Sequence, residues 1–229
     1  MCAERVVSAF PSIAVRRAGA CLLLAIAVAL TGCTGLPRGS YDALRLAVSG
    51  RGLDITPEQV AANPYAQILV EGPQGESLMV LGNDDAGLTS WFTPDRRIVF
   101  LRDGILAGTS GQSTDAIEIR MLGDNPFKRL ASVESAQTHR RYDWMPGYRY
   151  GVELRGQLQR GALESIDVLG SRRELQRFDE HLEGHGLTAH NRYWADPHTG
   201  AIVRSRELVG PGVELQITVL KPYTPGAPR

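Results

Sequence analysis

From residue 65 onward, apolar residues recur at every second position in short runs separated by Gly, Asp and Pro, the pattern of antiparallel strands joined by tight turns. The runs fall near 65–71, 76–82, 87–92, 97–102 and 105–109, with Gly72-Pro73, Asp84-Asp85, Pro94-Asp95 and Asp103-Gly104 as turns. A further strand is predicted at 116–121, after which Asn125-Pro126 predicts a loop. Tyr148, Tyr150, Val152, Leu154 and Leu158 then share one face of a long strand, and Arg149, Glu153, Arg155, Gln157 and Gln159 the other. Val213, Leu215, Ile217 and Val219 repeat the alternation near the end. The predicted sheet has one apolar face and one wet face.

Helical signals are confined to the start of this region. Thr56-Pro57-Glu58-Gln59 reads as a capping box with Pro at the first helical position, and Asn63-Pro64 stops the helix within a turn or two. Tyr41, Leu44 and Val48 have helical spacing behind Ser40, which predicts a helix over 41–49. Ser171 with Glu174 forms another capping box, and Leu175, Phe178 and Leu182 have helical spacing, although Phe178, Glu180 and Leu182 also suit a strand. Periodicity alone favours helix there.

The first 33 residues follow a different logic. Arg5, Arg16 and Arg17 precede an apolar run over 18–30, the positive segment and apolar core of a secretory signal. The run is shorter than the roughly 20 residues that a spanning helix needs. It closes on Leu30-Thr31-Gly32-Cys33, which resembles the lipobox of bacterial lipoproteins. That resemblance implies cleavage before Cys33 and acylation of its thiol, giving stable membrane anchoring through more than one buried chain. Thr34, standing where Asp would retain such a protein, implies delivery to the outer membrane with the domain facing the periplasm.

Cysteine usage and charge agree with this address. Cys2 and Cys21 lie in the removed segment, so the remaining 197 residues hold Cys33 alone and no intrachain disulfide. Without Arg5, Arg16, Arg17 and Glu4, the 25 basic and 25 acidic residues become 22 and 24, and this balance offers no basic stripe for nucleic acid. Residues 33–40 read as a lipidated tether, 41–223 as a single β domain and 224–229 as a tail.

Candidate contact residues for a glycan or a partner are Trp91, Trp144, Tyr193, Trp194, Asp196 and Arg204, with Arg141, Asp143 and Asn191 close to them in sequence. Aromatic faces stack on sugar C–H surfaces, yet aromatics of half-buried sheets usually fill cores, and adjacent Tyr193 and Trp194 must face opposite sides of a strand. Asp196-Pro197-His198-Thr199-Gly200 reads as a hairpin loop rather than a catalytic Asp-His pair. His181, His185 and His190 read as exposed histidines, and neither a metal nor a cofactor motif is present. Gly108-Thr109-Ser110-Gly111 lacks the Lys of a phosphate loop.

Two blocks resemble the YjbF/GfcB-type lipoproteins of capsule and exopolysaccharide (group 4 capsule) operons. The first is a capped helix followed by Asn63-Pro64-Tyr65-Ala66, Val80-Leu81-Gly82, Trp91 and a Gly104 turn before Thr109. The second is Asn191-Arg192-Tyr193-Trp194-Ala195-Asp196, Thr199-Gly200, Arg204-Ser205, Pro211 and Lys221-Pro222-Tyr223, with Val203 where the family often has an aromatic. The resemblance implies an all-β fold, an antiparallel open or distorted barrel or half-barrel of roughly ten strands with one or two short N-terminal helices. It also implies a strand at 173–183. In function it implies a non-enzymatic role in assembling or exporting surface polysaccharide, with an outer-membrane β-barrel protein, a second periplasmic protein and the polysaccharide as partners. The alternatives are a lipid carrier with an apolar half-barrel pocket, and a glycan-modifying enzyme with converging carboxylates in a cleft.

Overall fold

The structure is a computed structural model and describes residues 52–225. The signal segment, Cys33, the helix expected over 41–49 and the last four residues lie outside the described residues. The capping box at Thr56 forms as expected: its hydroxyl accepts from Gln59 N, the Gln59 side chain accepts from Thr56 N, and helix α1 spans Pro57–Ala62. Lys221 Nζ donates to the carbonyl of Asn63 just beyond this helix at 2.5 Å, tying it to the last strand.

Twelve antiparallel strands follow: β1 Gln67–Gly72, β2 Gly75–Asp85, β3 Leu88–Phe92, β4 Ile98–Arg102, β5 Ile105–Ser110, β6 Asp115–Met121, β7 Ser135–Met145, β8 Arg149–Val168, β9 Ser171–Gly184, β10 Leu187–Ala195, β11 Ile202–Gly210 and β12 Val213–Lys221. They form one sheet in the order 5-4-3-2-1-12-11-10-9-8-7-6, a nearly closed barrel. Each strand pairs with its sequence neighbour, apart from the β1–β12 pair that unites the two ends of the chain.

The opening of the barrel lies between β5 and β6. Side chains replace the missing ladder: Ala116 N donates to Thr109 Oγ1 at 3.0 Å, and Thr109 Oγ1 donates to Asp115 Oδ1 at 2.8 Å. Asp115 also accepts from the backbone of Gly111 and Gln112 in the connecting turn. A Cβ at Gly108 would stand 3.1 Å from the Ile117 carbonyl oxygen, so glycine lets the two edges approach.

Alternation decides which residues fill the barrel. Ile68, Val70, Met79, Leu81, Trp91, Val99 and Leu101 point inward and are buried together with Tyr142, Trp144, Leu154 and Ile217. A second buried cluster closes the end of the barrel where Asn125-Pro126 was expected to give only a loop. There a 3-10 helix, Pro126–Ser132, is capped by Asn125 and inserts Phe127 and Leu130 against Leu158, Phe178 and Tyr193. Gly200 in the β10–β11 turn packs against this plug, since a Cβ there would lie 2.7 Å from Ala131 N.

The antiparallel barrel of roughly ten strands that the resemblance implied is present with twelve, strand β7 occupying the stretch after the plug that the sequence left unassigned. Residues 171–183 form strand β9, as the family resemblance implied and against the helical periodicity, because β8 and β10 both pair with them. Tyr148 and Tyr150 are exposed rather than sharing the inward face of Val152 and Leu154, because positive φ at Tyr148 and Gly151 breaks the alternation at the turn.

Ile68 lies fully buried on the strand that unites the chain ends. Ile68→Ala is expected to cost about 2–5 kcal/mol by cavity formation, read as a lower urea midpoint at unchanged slope. Leu163→Ala, on an exposed position, is expected to stay within about 0.5 kcal/mol.

Candidate functional site

The interior of the barrel holds an ion pair. Arg140 of β7 and Glu180 of β9 are 1% and 0% exposed, joined by Arg140 NH2 to Glu180 Oε2 at 2.9 Å and Arg140 Nε to Glu180 Oε1 at 3.0 Å. Each is on an inward position because its neighbours in the strand point out. Thr138 donates to Glu180 Oε1 at 2.6 Å, and Asn191 Nδ2 and Tyr193 OH donate to Oε2 at 2.9 and 2.8 Å. Gly156 makes the room: a Cβ on it would stand 2.1 Å from Thr138 Oγ1 and 2.7 Å from Leu182.

Glu207 of β11 extends this network across the barrel. Next to a bulge at Ala107 in the edge strand β5, both Glu207 oxygens accept from Leu106 N, at 3.1 and 3.2 Å. The nearest Arg140 nitrogen is 3.6 Å from Glu207 Oε2. Asn191 Oδ1 accepts from Leu208 N at 2.8 Å, and the Arg140 guanidinium lies 5.2 Å from the centre of the Phe127 ring of the plug.

Burial works against the Arg140 charge, but Glu180, Tyr193, Tyr142 and Glu207 hold its pKa well above the ordinary range. Burial pushes the phenols of Tyr193 and Tyr142 up, so both are neutral. Burial also raises the Glu207 carboxyl, against the opposing pull of Arg140 and the Leu106 N–H. Glu180 accepts hydrogen bonds on both oxygens, so it presents no free lone pair toward a cleft as a general base requires.

Above the plug side of this network, a mouth cavity of about 420 Å³ is lined by Thr89, Trp91, Leu101, Ser205, Ile217 and neighbouring residues. Trp91 is 4% exposed and its Nε1 donates to Thr89 at 2.9 Å. Trp144 and Tyr193 are 1% and 0% exposed. None of these rings presents a free face on the outer surface.

Trp194 and Arg204 fasten the outside of the barrel. Beyond a bulge after Arg160, the β8–β9 ribbon continues past β10, and Val168 and Leu175 pack on Trp194 and Val203. Trp194 Nε1 donates to Glu164 at 2.7 Å, which lowers that carboxyl, and Arg177 also binds it. Arg204 donates to the Asp167 carbonyl and to Thr218, both at 3.0 Å. Asp196 accepts from the backbone of His198 and Thr199 and from the Thr199 hydroxyl, shaping the turn and lowering its pKa.

The remaining sequence candidates are spread over the surface. Asp143 accepts from Arg141 and from Gly151 N at the base of the β7–β8 turn. His181 and His190 are cross-strand neighbours, with their Nδ1 atoms 3.2 Å apart and His181 Nε2 2.6 Å from Glu183. His185 sits in the next turn. Among the described residues no three ligand-type side chains converge on a metal position. Sequence reading missed Arg140, Glu180 and Glu207; the signal was a charged residue on the apolar phase of three alternating strands.

Arg140→Met leaves the buried Glu180 carboxylate without its cation, and about 3–5 kcal/mol of stability should be lost in denaturant unfolding. Glu207 carries a pH signature. Its raised pKa means the native state keeps the proton at pH values where the unfolded chain has released it, so this group's contribution falls as pH rises above the ordinary carboxylate range. Glu207→Gln should therefore gain stability relative to wild type as pH rises above the ordinary carboxylate range, and a difference constant with pH would contradict the assignment.

Comparison with known proteins adds three findings. The family model described as "Group 4 capsule polysaccharide lipoprotein gfcB, YjbF" matches residues 41–220. The uncharacterized lipoprotein GfcB of Escherichia coli (strain K12) is 23% identical over 209 residues, covering 88% of this chain and 98% of that protein. The crystal structure of the hypothetical lipoprotein YmcC from Escherichia coli (K12) superposes with a TM-score of 0.67 at 21% identity, over 80% of this chain and 96% of that one.

Proposed function

Given that this chain belongs to the group 4 capsule polysaccharide lipoprotein family, we propose that it is a lipid-anchored, non-enzymatic accessory protein for surface polysaccharide assembly or export. It is held to the outer membrane through acylated Cys33 with its barrel in the periplasm. The observation that carries this reading is the match of the family model across the whole barrel, 41–220. The lipobox supplies the address, and a membrane β-barrel protein, a second periplasmic protein and the glycan are the partners.

The interior supports a scaffold more than the two alternatives. A lipid carrier needs an open apolar lumen. Here Tyr142, Trp144, Tyr193 and Phe178 are fully buried in the lumen together with a charged network. A glycan hydrolase needs two carboxylates flanking a substrate cleft, whereas Glu180 and Glu207 are buried and hydrogen-bonded within the fold. The surface is what remains for recognition. Its two halves differ: Leu69, Leu78, Val80, Phe92, Ile98 and Phe100 of β1–β4 alternate with inward core residues, while the same phase of β8–β10 carries Glu153, Arg155, Asp179, His181 and Arg192.

The anchor supplies location rather than fold stability. Cys33→Ser at native expression should leave a folded, soluble periplasmic domain, with the polysaccharide no longer reaching the cell surface. Fractionation and surface-glycan staining read both effects, and normal surface polysaccharide from that variant would overturn the proposal.

A further inference from the structure

Of the three exposed aromatics among the described residues, Tyr65 precedes β1 and the other two share one turn. Tyr148 and Tyr150, 71% and 54% exposed, flank Arg149 at the tip of the β7–β8 hairpin, with ring centres 6.3 Å apart in an edge-to-face arrangement. Tyr150 OH reaches Met145 S at 3.8 Å, and the Arg149 guanidinium lies 5.3 Å from the centre of the Trp144 ring, so the tip is braced from beneath. Tyr148 holds φ at +53°, a left-handed conformation that disfavours a bulky L-residue, between Gly147 and an exposed Arg. Local packing does not account for two large rings kept in water.

Two observations say what these rings meet. In an antiparallel meander the β1–β2, β3–β4, β5–β6 and β7–β8 turns share one rim. The chain joins the barrel at that same rim, where Leu53 N donates to Glu76 Oε2 at 2.6 Å beside the β1–β2 turn. Twenty residues separate Leu53 from Cys33, a span of at most about 70 Å, so a membrane holding an acylated Cys33 is within reach of this rim.

The second observation is charge. On the turns of this rim, to which β9–β10 and β11–β12 also belong, Asp95 is paired with Arg97, Asp143 with Arg141, Glu214 with Arg206, and Glu183 lies beside His181, while Asp115 and Glu76 accept from Thr109 and backbone N–H groups. Arg96 and Arg149 are left exposed without an acidic partner among the described residues. Tyrosines flanked by unpaired arginine match the headgroup layer of a bilayer, which takes an amphipathic ring and attracts cations where lipids are anionic.

We propose that Tyr148, Arg149 and Tyr150 form a membrane-interface contact that seats this rim of the barrel on an anionic lipid surface. The proposal rests on the Cys33-anchored reading for orientation, while the contact itself is a property of the hairpin. It differs from the acyl anchor in holding the domain at a fixed tilt rather than at a fixed distance.

The test uses the mature, acylated protein reconstituted in vesicles of phosphatidylethanolamine and phosphatidylglycerol. An environment-sensitive fluorophore is placed on Tyr148→Cys or, at the opposite rim, on Ser171→Cys; acylation leaves no other thiol. Quenching of the Tyr148 label by a headgroup-depth lipid quencher, with the Ser171 label unaffected, is the expected result. Equal quenching at both sites, or none at Tyr148, would overturn the proposal. Quenching found only in native membranes, and not in protein-free vesicles, would also overturn it, since a protein partner would then occupy the hairpin.

A parallel measurement separates this contact from the anchor. In the unacylated mature chain, residues 33–229 with Cys33→Ser, Arg149→Gln should lower partitioning onto phosphatidylglycerol-containing vesicles by about fivefold and leave partitioning onto neutral phosphatidylcholine vesicles unchanged. Tyr148→Ser with Tyr150→Ser should abolish partitioning onto both, with an unchanged thermal midpoint because these side chains are exposed. An absence of acyl chains on Cys33 by mass spectrometry would defeat the anchoring reading alone; binding insensitive to the hairpin substitutions would defeat this inference alone.

Discussion

The barrel depends on an ion pair that it keeps from water. Arg140 and Glu180 can be buried only because Thr138, Asn191, Tyr193 and the backbone around them supply a partner for each charged oxygen. A carboxylate stripped of water without such partners costs several kcal/mol. That requirement draws β7, β9, β10 and β11 to one set of atoms. Through Glu207 and Leu106 it also reaches β5 across the lumen. The same residues exclude the alternatives to a filled interior: an aliphatic ligand would have to displace charges, and a solvent channel would have to break their hydrogen bonds.

With the lumen occupied, recognition moves to the rims and the outer wall. The conspicuous stretch 191–206 is two structures in one. Asn191, Tyr193 and Glu207 serve the inside, while Arg192, Trp194 and Arg204 serve the outside, where they bind the β8–β9 ribbon. Asp196, Thr199 and Gly200 between them hold the plug over one end. A run of residues that looks like a binding motif is in this way accounted for by packing on both faces of one hairpin.

The strands up to β6 were legible because their alternation is regular and their turns carry Gly, Asp or Pro. Thr56-Pro57 was legible because a capping box is a local signal. The plug was not: Asn125-Pro126 marks a loop equally well, and only contact with Phe178 and Tyr193 makes the residues after it helical. For strand β9 periodicity alone points the wrong way, because Leu175, Phe178 and Leu182 satisfy a helical period by chance; the family resemblance implied the strand, and pairing on both sides makes it one. The ion pair was invisible because nothing in a single strand says that Arg140 will meet Glu180, 40 residues away. Tyr148 and Tyr150 were assigned inward because alternation was extended through a turn whose positive φ values end it.

On the proposed reading, a nearly closed, internally packed barrel on a lipid leash is a part for holding other parts, and its central claim concerns what it holds. The most direct measurement is purification of the acylated protein from native membranes in mild detergent, with mass spectrometry of everything retained. The account predicts an outer-membrane β-barrel protein at near-stoichiometric yield. Recovery of bound lipid with no protein would contradict it, since an accessory protein has no work without a partner.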